Sequence, residues 1–165
     1  MKIKRILIPV DFSPSSLEAL DFAVALAQPF KAELLLLSVI EPVLYVVPDY
    51  GGAQSSALAE SMNQQRQSAQ IELARLERAC RKRGLKVRTL LQIGAPARLI
   101  VDTAAKTKAD LIVMATHGRT GVSRLLMGSV AERVVRTASC PVLTFHGRGR
   151  ASASRGRGRR KRIGA

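Results

Sequence analysis

The chain has 165 residues and 47% of them are hydrophobic, which suits one domain with a sizeable core and excludes a disordered chain. Trp is absent and aromatic residues make up 4%, so the core must be aliphatic and stacking platforms for single-stranded nucleic acid are not expected. The net charge is +15, about half of it beyond His146, where seven Arg and Lys161 stand without a single acid. The apolar run 6–10 is a short strand of the kind buried on both faces, and Asp11 follows its C-terminal end. Helix-start signals come next: Ser13 can cap with Pro14 at the first helical position, or Ser15 can cap with Glu18 three residues on. Leu17, Leu20, Val24 and Ala27 give the apolar face of this helix, and Pro29 marks its end. A second buried strand spans 33–39.

Residues 41–56 hold Pro42, Pro48, Gly51 and Gly52 and read as a long excursion or lid. Residues 57–83 are helical in composition, with Ile71, Ala74, Leu76 and Ala79 on the later turns. Arg81, Lys82 and Arg83 suit the helix dipole and Gly84 stops it. The third strand, 86–93, partly alternates and reads as an edge. Gly94, Ala95 and Pro96 turn into a helix that ends near Lys108. A fourth strand covers 110–115, a helix starts at Val130, and a fifth strand covers 141–145. Strand and helix thus alternate from end to end, which implies right-handed crossovers and an open parallel sheet with helices on both faces. Ligands in such sheets bind beyond the C-terminal strand ends, at the topological switch point. Asp11, Val39 and the segment from Ala115 onward all lie at such ends.

That segment, ATHGRTGVSRLLMGS over 115–129, is rich in glycine and carries Arg119 and Arg124. A glycine-rich connection from a buried strand to a helix N-terminus can hold phosphate through free N–H groups and the helix dipole. Neither a P-loop nor a G-x-G-x-x-G fingerprint is present. Ser129 to Glu132 is spaced as a capping box, so Ser129 has a purely structural reading beside the phosphate one. Asp11 likewise has a local reading, as a loop residue satisfying nearby N–H groups. His117 lacks an evident catalytic partner and reads as loop structure.

The segments ILIPVDFSPSSLEAL, LLLLSVIEP, GAPARLIVDTA and ADLIVMATHGRTGVSRLLMGSVAERVVRTASCPVL closely resemble the universal stress protein family, over most of residues 1–146. The resemblance implies an α/β fold of the adenine-nucleotide alpha-hydrolase-like, Rossmann-like kind, with an open, doubly wound five-stranded parallel sheet in the order 3-2-1-4-5. In the nucleotide-binding branch a glycine, two residues, a glycine, nine residues, then glycine and Ser or Thr make the phosphate motif. Here Gly118, Gly128 and Ser129 match, and Ala115 stands where the first glycine usually is. Ala adds a methyl group there and, at positive φ, strain.

Carried over, the resemblance implies a pocket for ATP with Mg2+ held through the phosphates. Asp11 would contact the nucleoside, Val39 would line the adenine pocket, and Gly118, Gly128, Ser129 and Val130 would hold the phosphates. Pro9 and Ala115 are expected among the binding residues, and Arg119, with Arg124, reads either as a phosphate contact or as a solvated side chain. The resemblance also implies a stress-response regulator with slow or no hydrolysis and a homodimer made through strand 142–145. An ATPase or nucleotidyl-transfer enzyme in the same pocket is the alternative. The segment 147–165 lies outside the likeness; its Arg-Gly composition cannot bury a core and suits contact with nucleic acid or an acidic partner. Cys80 and Cys140, far apart and without metal spacing, fit a cytoplasmic protein in which Cys serves as a small hydrophobe. No secretory signal or membrane span is expected, since the first apolar run reaches Asp11 within a few residues and the stretch 34–47 is broken by Ser38, Glu41 and Pro42.

Overall fold

The computed structural model describes residues 2–42, 53–116 and 127–146, with the backbone alone for 53–58. Within them the elements run β1 (Arg5–Pro9), α1 (Pro14–Phe30), β2 (Glu33–Ile40), α2 (Ala53–Lys82), β3 (Val87–Ile93), α3 (Pro96–Thr107), β4 (Leu111–Ala115), α4 (Ser129–Thr137) and β5 (Val142–Phe145). All strands are parallel, and the sheet order is β3-β2-β1-β4-β5. The expected fold class and strand order are thus realised. The chain winds outward from β1 through β2 to β3, then crosses back to β4 and β5. The switch point falls between β1 and β2 on one side and β4 on the other.

The strands are apolar at nearly every position because both faces are covered. Ile6, Ile8, Leu34, Leu36 and Val113 pack under α1 and α2 with Val24, Ala27 and Leu73. The alternate positions Leu7, Leu35, Leu37, Ile112 and Met114 pack under α3 and α4 with Ile100, Ala104 and Val134. Period-two alternation in each strand therefore fills two aliphatic cores from one sheet. Cys80 and the half-buried Cys140 join these clusters as small hydrophobes. Burial pushes both thiols up, which keeps them neutral.

Ser13 caps α1 by accepting from the Ser16 N–H, with Pro14 at the first helical position, so the Ser13 alternative is the one used. Pro29 does not end α1; it lies inside the last turn, and the helix runs on to Phe30. A proline there only deprives one carbonyl of its donor. The stop is instead made by Lys31 at φ 52, with Lys31 N–H on the Gln28 carbonyl at 3.1 Å and Ala32 N–H on the Ala27 carbonyl at 3.1 Å. This is a Schellman motif, and Lys108 at φ 52 closes α3 in the same way. Gly84 at φ 80 does so for α2, as its sequence position announces. Helix α2 begins at Ala53, so residues 53–56, read from sequence as lid, are helical; nothing after Gly52 breaks a helix there. Glu41 and Pro42 are described, and the rest of the expected lid, 43–52, lies outside the described residues. So does 147–165. No described helix is long and apolar enough to cross a membrane.

Candidate functional site

The C-terminal ends of β1, β2 and β4 and the start of α4 enclose a cleft of about 1030 Å³. That is the upper end of the range for small-molecule sites. Of the residues singled out in the sequence, Pro9, Asp11, Val39, Ala115, Gly128, Ser129 and Val130 all line it. Gly118 and Arg119 lie outside the described residues, as do His117 and Arg124.

Asp11 leaves β1 as the chain turns toward α1. Its Oδ1 accepts from the Ser13 N–H at 3.0 Å and the Ser13 hydroxyl at 2.6 Å, an Asx turn that fixes the cap residue in place. The local role read for Asp11 is therefore real, and it coexists with a half-buried place in the cleft wall. Between them Phe12 adopts φ 65, a left-handed conformation that is a genuine outlier for a bulky residue. Its ring packs against the core beneath α1. Strain of this kind costs about 1–3 kcal/mol and persists only where surrounding contacts over-determine it. No sequence signal announces it, because Phe has no left-handed preference.

The connection from β4 to α4 is closed at its base. Thr116 N–H donates to the Phe145 carbonyl at 2.9 Å, and Gly128 N–H donates to the Thr116 carbonyl at 2.8 Å. The two ends of the connection thus meet just beyond the C-terminal end of β4, beside the cleft. Ala115 is the last residue of β4, in register with Phe145. Its φ is not positive, so the strain a non-glycine residue risked here does not arise. Only the methyl volume remains of the departure from the glycine pattern.

Helix α4 corrects the capping-box reading. Its N-cap is Gly128, and Ser129 is the first helical residue, so the box from Ser129 to Glu132 does not form. Glu132 N–H instead makes the first regular helical bond, to the Gly128 carbonyl at 2.9 Å. The N–H of Gly128 is committed to Thr116 and is not an open donor. The donors without an intrahelical acceptor are those of Ser129, Val130 and Ala131, all in the cleft wall. They carry the positive end of the α4 dipole, which favours an anion.

The far wall of the cleft is polar and went unread in the sequence. Ser61, Gln65, Ser68 and Glu72 of α2, spaced by four, three and four, line it together with Glu41 after β2. Their spacing puts them on one helical face, and that period was the available signal. Among the described residues there is no cluster of His, Cys, Asp and Glu that could hold a metal ion.

Fold and cleft together define a doubly wound α/β domain with an anion-accepting helix start at its switch point. The sequence model of the Universal stress protein family matches residues 2–146. The chain belongs to that family. It is 41% identical over 141 residues to Universal stress protein MJ0531 of Methanocaldococcus jannaschii, covering 85% of this chain and 80% of that protein. The structure is similar to universal stress protein UspA from Lactobacillus plantarum, with a TM-score of 0.79 and 27% identity, over 88% of this chain and 99% of that one. It is also similar to a universal stress protein in complex with cAMP, with a TM-score of 0.61 and 25% identity, over 88% of this chain and 98% of that one.

Proposed function

We propose that this universal stress protein is a nucleotide-dependent regulator that binds ATP in the cleft at the C-terminal strand ends. The observation that carries the reading is the meeting of three features in one cavity: the N–H groups of Ser129 and Val130, which have no acceptor within α4, the Asp11 carboxylate, and the apolar side chain of Val39. Phosphates lie at the start of α4, where N–H donors and dipole stabilise negative charge. Asp11 contacts the nucleoside, and Pro9 and Val39 bound the base. Gly118 and Arg119 complete the phosphate side, and Ala115 adds only its methyl group. The cAMP complex of a related protein supports an adenine nucleotide as the ligand class. Mg2+ enters through the phosphates, since the described cleft residues supply no ligand cluster for a bare ion.

Hydrolysis is slow or absent in this reading, because Asp11 Oδ1 is already held by Ser13 instead of being aimed at a water. The protein works as a homodimer in the cytoplasm. Strand β5, at the sheet edge with all four residues half-buried, supplies the dimer seam. The basic segment 147–165 adds contacts to nucleic acid or an acidic partner. Thermal unfolding with and without nucleotide tests the central claim. At a hundredfold excess over Kd, ATP with magnesium stabilises by about 2.7 kcal/mol and raises Tm by roughly 5–10 °C. An unchanged Tm, in protein that releases no nucleotide on denaturation, refutes it.

A further inference from the structure

A parallel doubly wound sheet gathers every strand start and every crossover-helix end at one end of the domain, opposite the cleft. Here that end is cationic. Lys4, Lys31, Lys86 and Lys108 precede β1, β2, β3 and β4. Backbone hydrogen bonds set Lys86, Lys4 and Arg5 against the starts of the neighbouring strands, and Lys31 and Lys108 stand just before β2 and β4. Leu34 N–H donates to the Lys86 carbonyl at 2.8 Å, Glu33 N–H to the Lys4 carbonyl at 2.8 Å, and Asp110 N–H to the Arg5 carbonyl at 2.9 Å. The Arg5 guanidinium donates to the Thr107 carbonyl at 2.8 Å, between Lys106 and Lys108. Lys82 adds a charge at the end of α2.

These six lysines are exposed, and none joins an ion pair among the described residues. The acids of this end are already engaged. Glu33 pairs with Arg5 at 3.6 Å. Asp110 accepts from the Lys4 and Arg5 N–H groups at 2.7 and 2.8 Å, and those two bonds hold its carboxyl below the usual range.

Helix dipoles favour cations at Lys82 and Lys106, which lie in last turns, and at Lys31 and Lys108, which close α1 and α3. They do not account for Lys4 and Lys86. Lys31 and Lys108 occupy left-handed positions where Gly or Asn is favoured, so a cation stands where the backbone disfavours it. Lys4 and Lys86 belong to no helix. Protection of a sheet edge explains a lysine at β3, not at the interior strands β2, β1 and β4.

We propose that this end of the domain docks a nucleic-acid phosphate backbone. Adjacent strands are about 4.8 Å apart, so the four strand starts that these lysines precede follow one another at that spacing over roughly 15 Å. A chain of phosphates presents charge in the same regular way, and each pairing releases counterions. A bilayer surface needs no such register. The row and the cleft are separated by the length of β1, about 13 Å, so this surface is independent of the nucleotide reading.

The test is a titration of the full chain with labelled duplex DNA and single-stranded RNA across a range of KCl concentrations. The comparison protein carries Lys4→Gln, Lys31→Asn, Lys86→Gln and Lys108→Asn together. Each phosphate contact contributes about 0.7–0.9 to the slope of log K on log salt, so the variant's slope becomes shallower by about three. Its Tm stays within a few degrees of wild type, and the four-fold Arg variant keeps the wild-type slope. A Lys-depleted variant that is folded and retains the wild-type slope overturns the proposal and leaves 147–165 as the contact. Binding to phosphatidylserine vesicles with none to either nucleic acid overturns it as well.

Discussion

Leu36→Ala lowers the stability of the folded chain by about 3–4 kcal/mol and Tm by roughly 10 °C. Leu36 is fully buried in β2, with Ile8 of β1 and Thr89 of β3 as its register partners. Its side chain fills the core between the sheet and the helices α1 and α2. Truncation removes apolar contacts and leaves a cavity, because a wall made of three strands cannot collapse inward. The same substitution at Leu90, half-buried in the edge strand β3, costs about 1–2 kcal/mol, since solvent reaches the gap. Urea titration of both variants, with an unchanged m-value, measures the difference. Equal losses at the two positions refute the picture of a core carried by the central strands.

Asp11→Ala weakens ATP binding by about 10- to 100-fold, equivalent to about 1.4–2.8 kcal/mol. Two effects combine. The variant lacks a cleft-wall carboxylate, and it leaves the N–H of Ser13 without the acceptor that sets the turn. Ser13 is only 7% exposed, so its abandoned N–H also lowers stability by about 1–2 kcal/mol. Asp11→Asn separates the two roles. The amide oxygen still accepts from Ser13, so stability recovers, while affinity for the nucleoside changes with the lost charge. Calorimetric titration of wild type and both variants checks this. Wild-type affinity in Asp11→Ala shows that the carboxylate serves the turn alone.

The sheet was legible because parallel strands covered on both faces are apolar nearly throughout, and short runs such as 33–39 alternate with helical segments along the chain. Strand order followed from resemblance, not from periodicity, which is blind to the crossover between β3 and β4. Helix ends were legible where the stop is chemical, as at Gly84. They were not at Lys31 and Lys108, where a residue with no left-handed preference closes a Schellman motif. Ser129 misled because its spacing to Glu132 imitates a capping box, whereas the bond from Gly128 to Thr116 sets the helix start one residue earlier. The cleft positions at strand ends could be placed from topology alone. The polar α2 wall and the strained Phe12 could not, since one depends on how α2 packs and the other on a backbone state Phe does not favour.

The most direct measurement is the response of backbone amide resonances to ATP and magnesium. The account predicts the largest shifts at Ser129, Val130 and Ala131, where the helix start meets the phosphates. Smaller ones are expected at Asp11 and Val39, and none at Lys4, Lys31, Lys86 or Lys108. Shifts concentrated at the strand starts, with Ser129 and Val130 unmoved, would contradict it.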